Sequence, residues 1–192
     1  MLRVPIANLK PSTPRLTGAA IGETHARELR RLVLESALSD GDIVALDFSG
    51  VESASASYLK RIIDPFFGPS GGSDDLPTAA VPILLNADSG DLREDLQDHL
   101  EGKGRVLVIA DEIEGGLRFN RLIGTLDRAA TETYQELCRA KEVTAQQLYD
   151  RFPGRTTNQT AWNNRLAQLL ELRIARRRRE GRLWIYQPTV TV

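Results

Sequence analysis

The stretch Arg173-Ile-Ala-Arg-Arg-Arg-Arg-Glu-Gly-Arg-Leu-Trp-Ile-Tyr-Gln-Pro188 decides how the second half of the chain is read. Leu172 and Ile174, then Leu183 and Ile185, alternate with polar neighbours, which is the period of a β-strand. Between the two runs, Arg178-Arg179-Glu180-Gly181 reads as a hairpin turn, with Gly181 free to adopt φ > 0. A solvated basic tail would not be followed by Leu-Trp-Ile-Tyr in strand alternation. The pattern therefore predicts a hairpin carrying four consecutive arginines.

Upstream of that hairpin the spacing becomes helical. Leu122, Ile123, Leu126, Ala129, Ala130, Thr133, Tyr134 and Leu137 recur every three or four residues and predict a helix over 121–140. Thr144-Ala-Gln-Gln147 is a capping box that opens a short helix over 145–151, and Phe152-Pro153-Gly154 ends it. Thr156-Thr-Asn-Gln159 reads as a second box, opening a helix to about Glu171. On that helix Trp162, Leu166 and Leu169 share one face. The opposite side carries Thr157, Thr160, Asn164 and Ala167, with Asn163 and Gln168 on its flanks. The side is polar but almost uncharged, whereas an ordinary solvent face carries Glu and Lys. Amide side chains pair bidentately with adenine edges, and threonine contacts base edges or a thymine methyl.

Helix, short helix, turn, longer helix and hairpin, in that order, resemble a winged helix-turn-helix over roughly 121–188. Arg173 stands where many members of that family carry glycine. The resemblance implies that the helix from Asn158 enters the major groove of duplex DNA and that the hairpin is a wing. Thr157, Thr160, Asn163, Asn164 and Gln168 are then the candidates for base contact. Arg176, Arg177, Arg178, Arg179 and Arg182 are the candidates for phosphate contact, since arginine makes bidentate contacts to phosphate. Charge alone leaves RNA open as well.

The first half alternates strand and helix signals, which implies a small α/β domain. An amphipathic helix is predicted over 23–38, with Ala26, Leu29, Leu32, Val33 and Ala37 on one side. A buried strand is predicted over 42–48, a helix over 58–67 and a strand over 81–85, near a sheet edge because Pro82 interrupts it. A helix over 92–100 and a strand over 105–110 follow, and Gly68 to Pro77 reads as a flexible loop. The stretch Ala45-Leu-Asp-Phe-Ser-Gly-Val-Glu-Ser-Ala-Ser-Ala-Ser-Tyr-Leu59 resembles the STAS-like domains, relatives of anti-sigma-factor antagonists, with Asp47, Ser49 and Val51 matching their D-x-S-x-V loop. The likeness covers roughly 20–115. In phosphorylated members the loop reads about D-S-S-G. Ser55, Ala56, Ser57 and Tyr58 stand there in this chain, and Ser57 keeps the phosphoacceptor type. Ser55 and Ser57 are thus candidates for a phosphorylation or anion site, against the simpler reading that one of them caps a helix.

The expected architecture is a STAS-like α/β domain over 1–118 and an α+β winged helix-turn-helix over 119–192. Charge divides along the same line. Residues 1–120 carry 12 Lys and Arg against 19 Asp and Glu, whereas residues 121–192 carry 13 against 7. The expected partners are double-stranded DNA, a protein partner of the STAS-like part and a second copy of the chain. In the rival reading, a kinase-like partner acts on the STAS-like part and the winged helix makes protein contacts. No apolar run approaches the ~20 residues of a membrane helix, and the first residues lack the apolar core of a signal peptide. The one cysteine, Cys138, points to a reduced cytoplasm. Two distant histidines give no metal-ligand spacing, and no phosphate loop, nucleophile elbow or zinc motif occurs. Neither a cofactor, nor a metal, nor catalysis is expected.

Overall fold

Ile43 to Asp47 is an apolar run that ends in a carboxylate, and all but its first residue are buried. Burial on both faces is what an inner strand of a parallel sheet requires. The computed structural model describes residues 1–39, 41–67, 80–155 and 158–190. Its elements are β1 (Leu2–Pro5), β2 (Arg15–Leu16), α1 (Ala19–Glu35), β3 (Ile43–Asp47), β4 (Ser53–Ala54), α2 (Ala56–Ile62), β5 (Val81–Leu85), α3 (Gly90–Leu100), β6 (Val106–Ile113), β7 (Gly116–Gly124), α4 (Arg128–Ala140), α5 (Ala145–Arg151), α6 (Gln159–Glu171), β8 (Ala175–Glu180) and β9 (Leu183–Pro188). Single 3₁₀ turns lie at Ile6–Asn8 and Asp64–Phe67.

The main sheet is mixed, with strand order β1-β3-β5-β6-β7. The first four strands are parallel, and β7 returns antiparallel to β6. Each successive parallel strand is added on the same side, so crossovers of one hand place α1, α2 and α3 on a single face. Val44, Leu46, Leu84, Leu107 and Ile109 meet Leu29, Val33, Leu59, Ile62, Leu92 and Leu96 there. This topology leaves the second face bare. Ala45, Ile83, Leu85, Val106, Val108 and Ala110 point to it, and Ala130, Tyr134, Leu137, Trp162, Leu166 and Leu169 cover it. The result is three layers, helix on sheet on helix, with α4 and α6 supplying the third. Each fully buried Trp or Leu in that layer contributes about 1.5–3 kcal/mol.

Several expectations are corrected. Residues 121–124 belong to β7, not to a helix, and β7 runs across the expected division at 118/119. A bulge at Asn120 breaks the alternation of β7, since Ile109 faces Arg121 but Ala110 faces Phe119. Leu122 and Ile123 pack on opposite faces of a sheet covered on both sides, and their adjacency mimics helical spacing. Pro82 lies in an inner strand, not near an edge. The Val81 N–H donates to the Asp42 carbonyl on the β3 side, so a residue-82 N–H would face β6. Pairing with β6 begins only at Ile83, and the proline therefore removes no ladder bond. Helix α1 starts at Ala19, earlier than expected, and ends before Ala37. The helix expected over 58–67 is the short α2 followed by a 3₁₀ turn. The loop expected over 68–77 lies outside the described residues.

In the carboxyl-terminal layer, the Asp127 carboxylate caps α4 by accepting from the Ala130 N–H at 2.7 Å. The capping box at Thr144 and Gln147 is present on α5. The second box does not open α6. Asn158 is the cap, accepting from the Ala161 N–H at 3.0 Å, and Gln159 is already helical. After α6 the chain turns at Arg173, which adopts φ 60°.

Candidate nucleic-acid interface

Because Trp162, Leu166 and Leu169 are fully buried, the far side of α6 faces solvent. Thr160, Asn163 and Asn164 are exposed there, and Ala167 is half-buried. Among the described residues neither Asn163 nor Asn164 is hydrogen-bonded to another side chain, so their amides stay free for an outside partner. Gln168 is different. Its Nε2 donates to Asp127 Oδ2 at 3.0 Å, which ties α6 to the cap of α4. Its amide is engaged inside the protein. Thr157 lies outside the described residues.

Strands β8 and β9 form the expected hairpin, but the turn sits later than expected. Glu180 pairs with Leu183, so Gly181 and Arg182 make a two-residue turn, with Gly181 at φ 59°. Arg178 and Arg179 stay within the strand. Tyr186 exchanges two 2.9 Å backbone hydrogen bonds with Val143, which anchors the base of the hairpin to the link between α4 and α5. The tip projects beyond that anchor, and residues 177–184 are exposed.

Strand alternation sorts the arginines onto two faces. Arg178 donates to Glu142 at 3.1 Å and to Glu180 at 2.8 Å, and these two carboxylates hold its pKa above the ordinary value. Arg176, on the same face, is half-buried, and its Nε has no hydrogen-bond partner among the described residues. Arg177 and Arg179 share the other face with Trp184. The Arg177 guanidinium lies 4.2 Å from the centre of the indole and that of Arg179 lies 5.9 Å away. Arg179 also donates to the Gly181 carbonyl at 3.2 Å. Arg182 is exposed in the turn. Among the described residues, Arg177, Arg179 and Arg182 have no acidic partner. Sequence reasoning missed both Glu142 and the indole. A turn placed at Gly181-Arg182 would have paired Arg179 with Trp184 and disclosed the second.

The loop that carries the STAS-like resemblance builds a different kind of site. Asp47, at the carboxyl end of β3, is buried. Its Oδ1 accepts from the Ser49 N–H at 2.9 Å, the Ser49 hydroxyl at 2.6 Å and the Asn86 amide at 2.8 Å. Its Oδ2 accepts from Arg3 Nε at 3.0 Å and Nη2 at 2.6 Å. Burial pushes the Asp47 pKa up, but the Ser49, Asn86 and Arg3 donors outweigh it and hold it at about 2. A carboxylate this fully engaged is a poor proton acceptor and a poor metal ligand. Ser55 caps α2, its hydroxyl accepting from the Tyr58 N–H at 3.4 Å and the Gly18 N–H at 3.1 Å. Ser57 is exposed, with its hydroxyl 3.0 Å from that of Ser55.

Among the described residues no group of His, Cys, Asp and Glu is placed to hold a metal ion. No helix among them is long and apolar enough to cross a membrane. Set against known protein families, curated proteins and solved structures, the chain finds no match.

Proposed function

We propose that the chain is a DNA-binding regulator, with α4 to β9 acting as a winged helix-turn-helix and the STAS-like α/β part receiving a partner or signal. One observation carries the reading. A helix face of free hydroxyl and amide groups, at Thr160, Asn163 and Asn164, belongs to the same three-helix unit as a hairpin whose Arg177, Arg179 and Arg182 lack acidic partners among the described residues. The arginines supply sequence-independent affinity through phosphates, and the helix face supplies selectivity through base edges. The packing of α4 and α6 onto the sheet gives a route from the α/β part to the reading helix.

Selection from a random pool of duplexes tests the reading. Wild-type protein should enrich a defined site, and N163A/N164A should lose that preference while still retaining duplex. Failure of the wild type to enrich any sequence, or an unchanged preference in the double variant, would remove α6 as the reading element. The exposure of Ser57 favours a second reading, a switch set by a kinase-like partner. Mass spectrometry of native protein decides it by the presence or absence of phosphate on Ser57.

A further inference from the structure

The tip of the hairpin is apolar where a plain phosphate clamp would be polar. Leu183 is 58% exposed and Trp184 is 41% exposed, two of the five exposed large apolar side chains among the described residues. Trp184 sits beside Arg177 and directly across from Arg179, and Glu180, the acid of the tip, is drawn to Arg178 on the opposite face. The indole is thus held by cations, surrounded by uncompensated positive charge and open to solvent. A partner that fits must offer a flat aromatic surface and a negative charge within a few ångströms of one another. A nucleotide with an unpaired base offers both.

We infer that the Arg177–Trp184–Arg179 face is a stacking site for unpaired bases, so that the protein prefers duplex DNA with an opened or single-stranded flank. The inference rests on the nucleic-acid reading above. In intact B-form duplex each base is covered by its neighbours, and only its edges are accessible in the grooves. An indole gains a base face only where pairing is broken. Base–aromatic stacking contributes about 1–3 kcal/mol per base and tolerates any sequence. The indole is already ordered by the arginines, which lowers the entropy cost of using it. An acidic protein surface would satisfy the arginines but leave the indole without a stacking partner.

Fluorescence anisotropy on the full chain tests this with two DNAs of equal phosphate number, a blunt duplex and a forked duplex with unpaired arms. The fork should bind about tenfold tighter, and W184A should abolish that preference while leaving blunt-duplex affinity within about twofold. W184F, which keeps a stacking ring, should retain most of the preference. Tryptophan emission should be quenched by the fork and not by the blunt duplex, and W184F should remove that change. Equal affinity for both DNAs, with W184A without effect, would overturn the stacking site while leaving the duplex reading intact. If neither DNA binds, the underlying reading falls with it.

Discussion

Arg3 and Arg177 both lie on β-strands, yet the molecule uses them in opposite ways. Arg3 stretches over the end of the sheet and is held by Asp47 and Glu112. Among the described residues Arg177 has no acidic partner, and it rests on an indole at the tip of a projecting hairpin. The difference separates charge that fixes the protein's own geometry from charge that its own carboxylates leave uncompensated. It also runs through the whole chain. The α/β part neutralises buried Asp47 among donors of its own, whereas among the described residues the carboxyl-terminal part leaves Arg177, Arg179 and Arg182 without an acidic partner and the Asn163 and Asn164 amides without a hydrogen bond.

The largest effect comes from separating the two regions. A chain ending at Gly124 loses the layer that covers Ala45, Ile83, Leu85, Val106 and Val108. It should bind a hydrophobic dye and unfold in urea without a sharp transition, because an exposed apolar sheet face cannot support a cooperative fold. A sharp transition like that of the full chain would show that the sheet stands alone.

Next in size is the contrast between the two charge sites. D47A removes the acceptor that serves Arg3, Ser49 and Asn86, and should destabilise the fold by about 2–4 kcal/mol in urea denaturation. R177A should change stability by less than about 0.5 kcal/mol. The Asp47 contribution has a defined pH range. Its folded value of about 2 lies below the ordinary 3.8, so the stabilisation is complete above about 3.8 and fades as pH falls toward 2.

A smaller effect should appear near neutrality. His25 is fully buried, with Nε2 3.2 Å from the Pro11 carbonyl and Nδ1 2.9 Å from the Tyr58 hydroxyl. A carbonyl only accepts, so Nε2 carries the proton and Nδ1 accepts from Tyr58 in a neutral ring. Burial lowers the His25 pKa below 6.5. The unfolded chain therefore takes up a proton first, and the stabilisation is complete above 6.5 and declines below it. The stability gap between wild type and H25Q should narrow from pH 7.5 to pH 5 in paired urea titrations. A constant gap would show that His25 does not titrate differently on folding.

Much of this was legible from periodicity and capping. The strands at Ile43–Asp47 and Val106–Ile113, the helices from Ala145 and toward Glu171, and the hairpin all follow from local pattern. What was not legible depends on partners distant in sequence. Because both faces of the sheet are covered, Leu122-Ile123 at the end of β7 read as the start of a helix, and Pro82 is tolerated in an inner strand only because β6 pairing starts one residue later. The three-layer arrangement follows from strand order, which no local signal carries. In the candidate interface the polar side of α6 could be read directly. The engagement of Gln168 by Asp127, and of Arg178 by Glu142, could not, because each partner belongs to another element. Arg173 takes the left-handed conformation at the end of α6 and donates to the Ala80 carbonyl at 2.5 Å, a partner far away in sequence.

On the proposed reading, the hairpin arginines are held ready for phosphates. The most direct test is the slope of log K against log salt for duplex binding, measured by anisotropy for wild type and for R177A/R179A/R182A. Each phosphate contact contributes about 0.9 to the slope, so the triple variant should be shallower by roughly 2–3. Its urea stability should match that of the wild type. An unchanged slope, or no duplex binding by the wild type at low salt, would contradict the account.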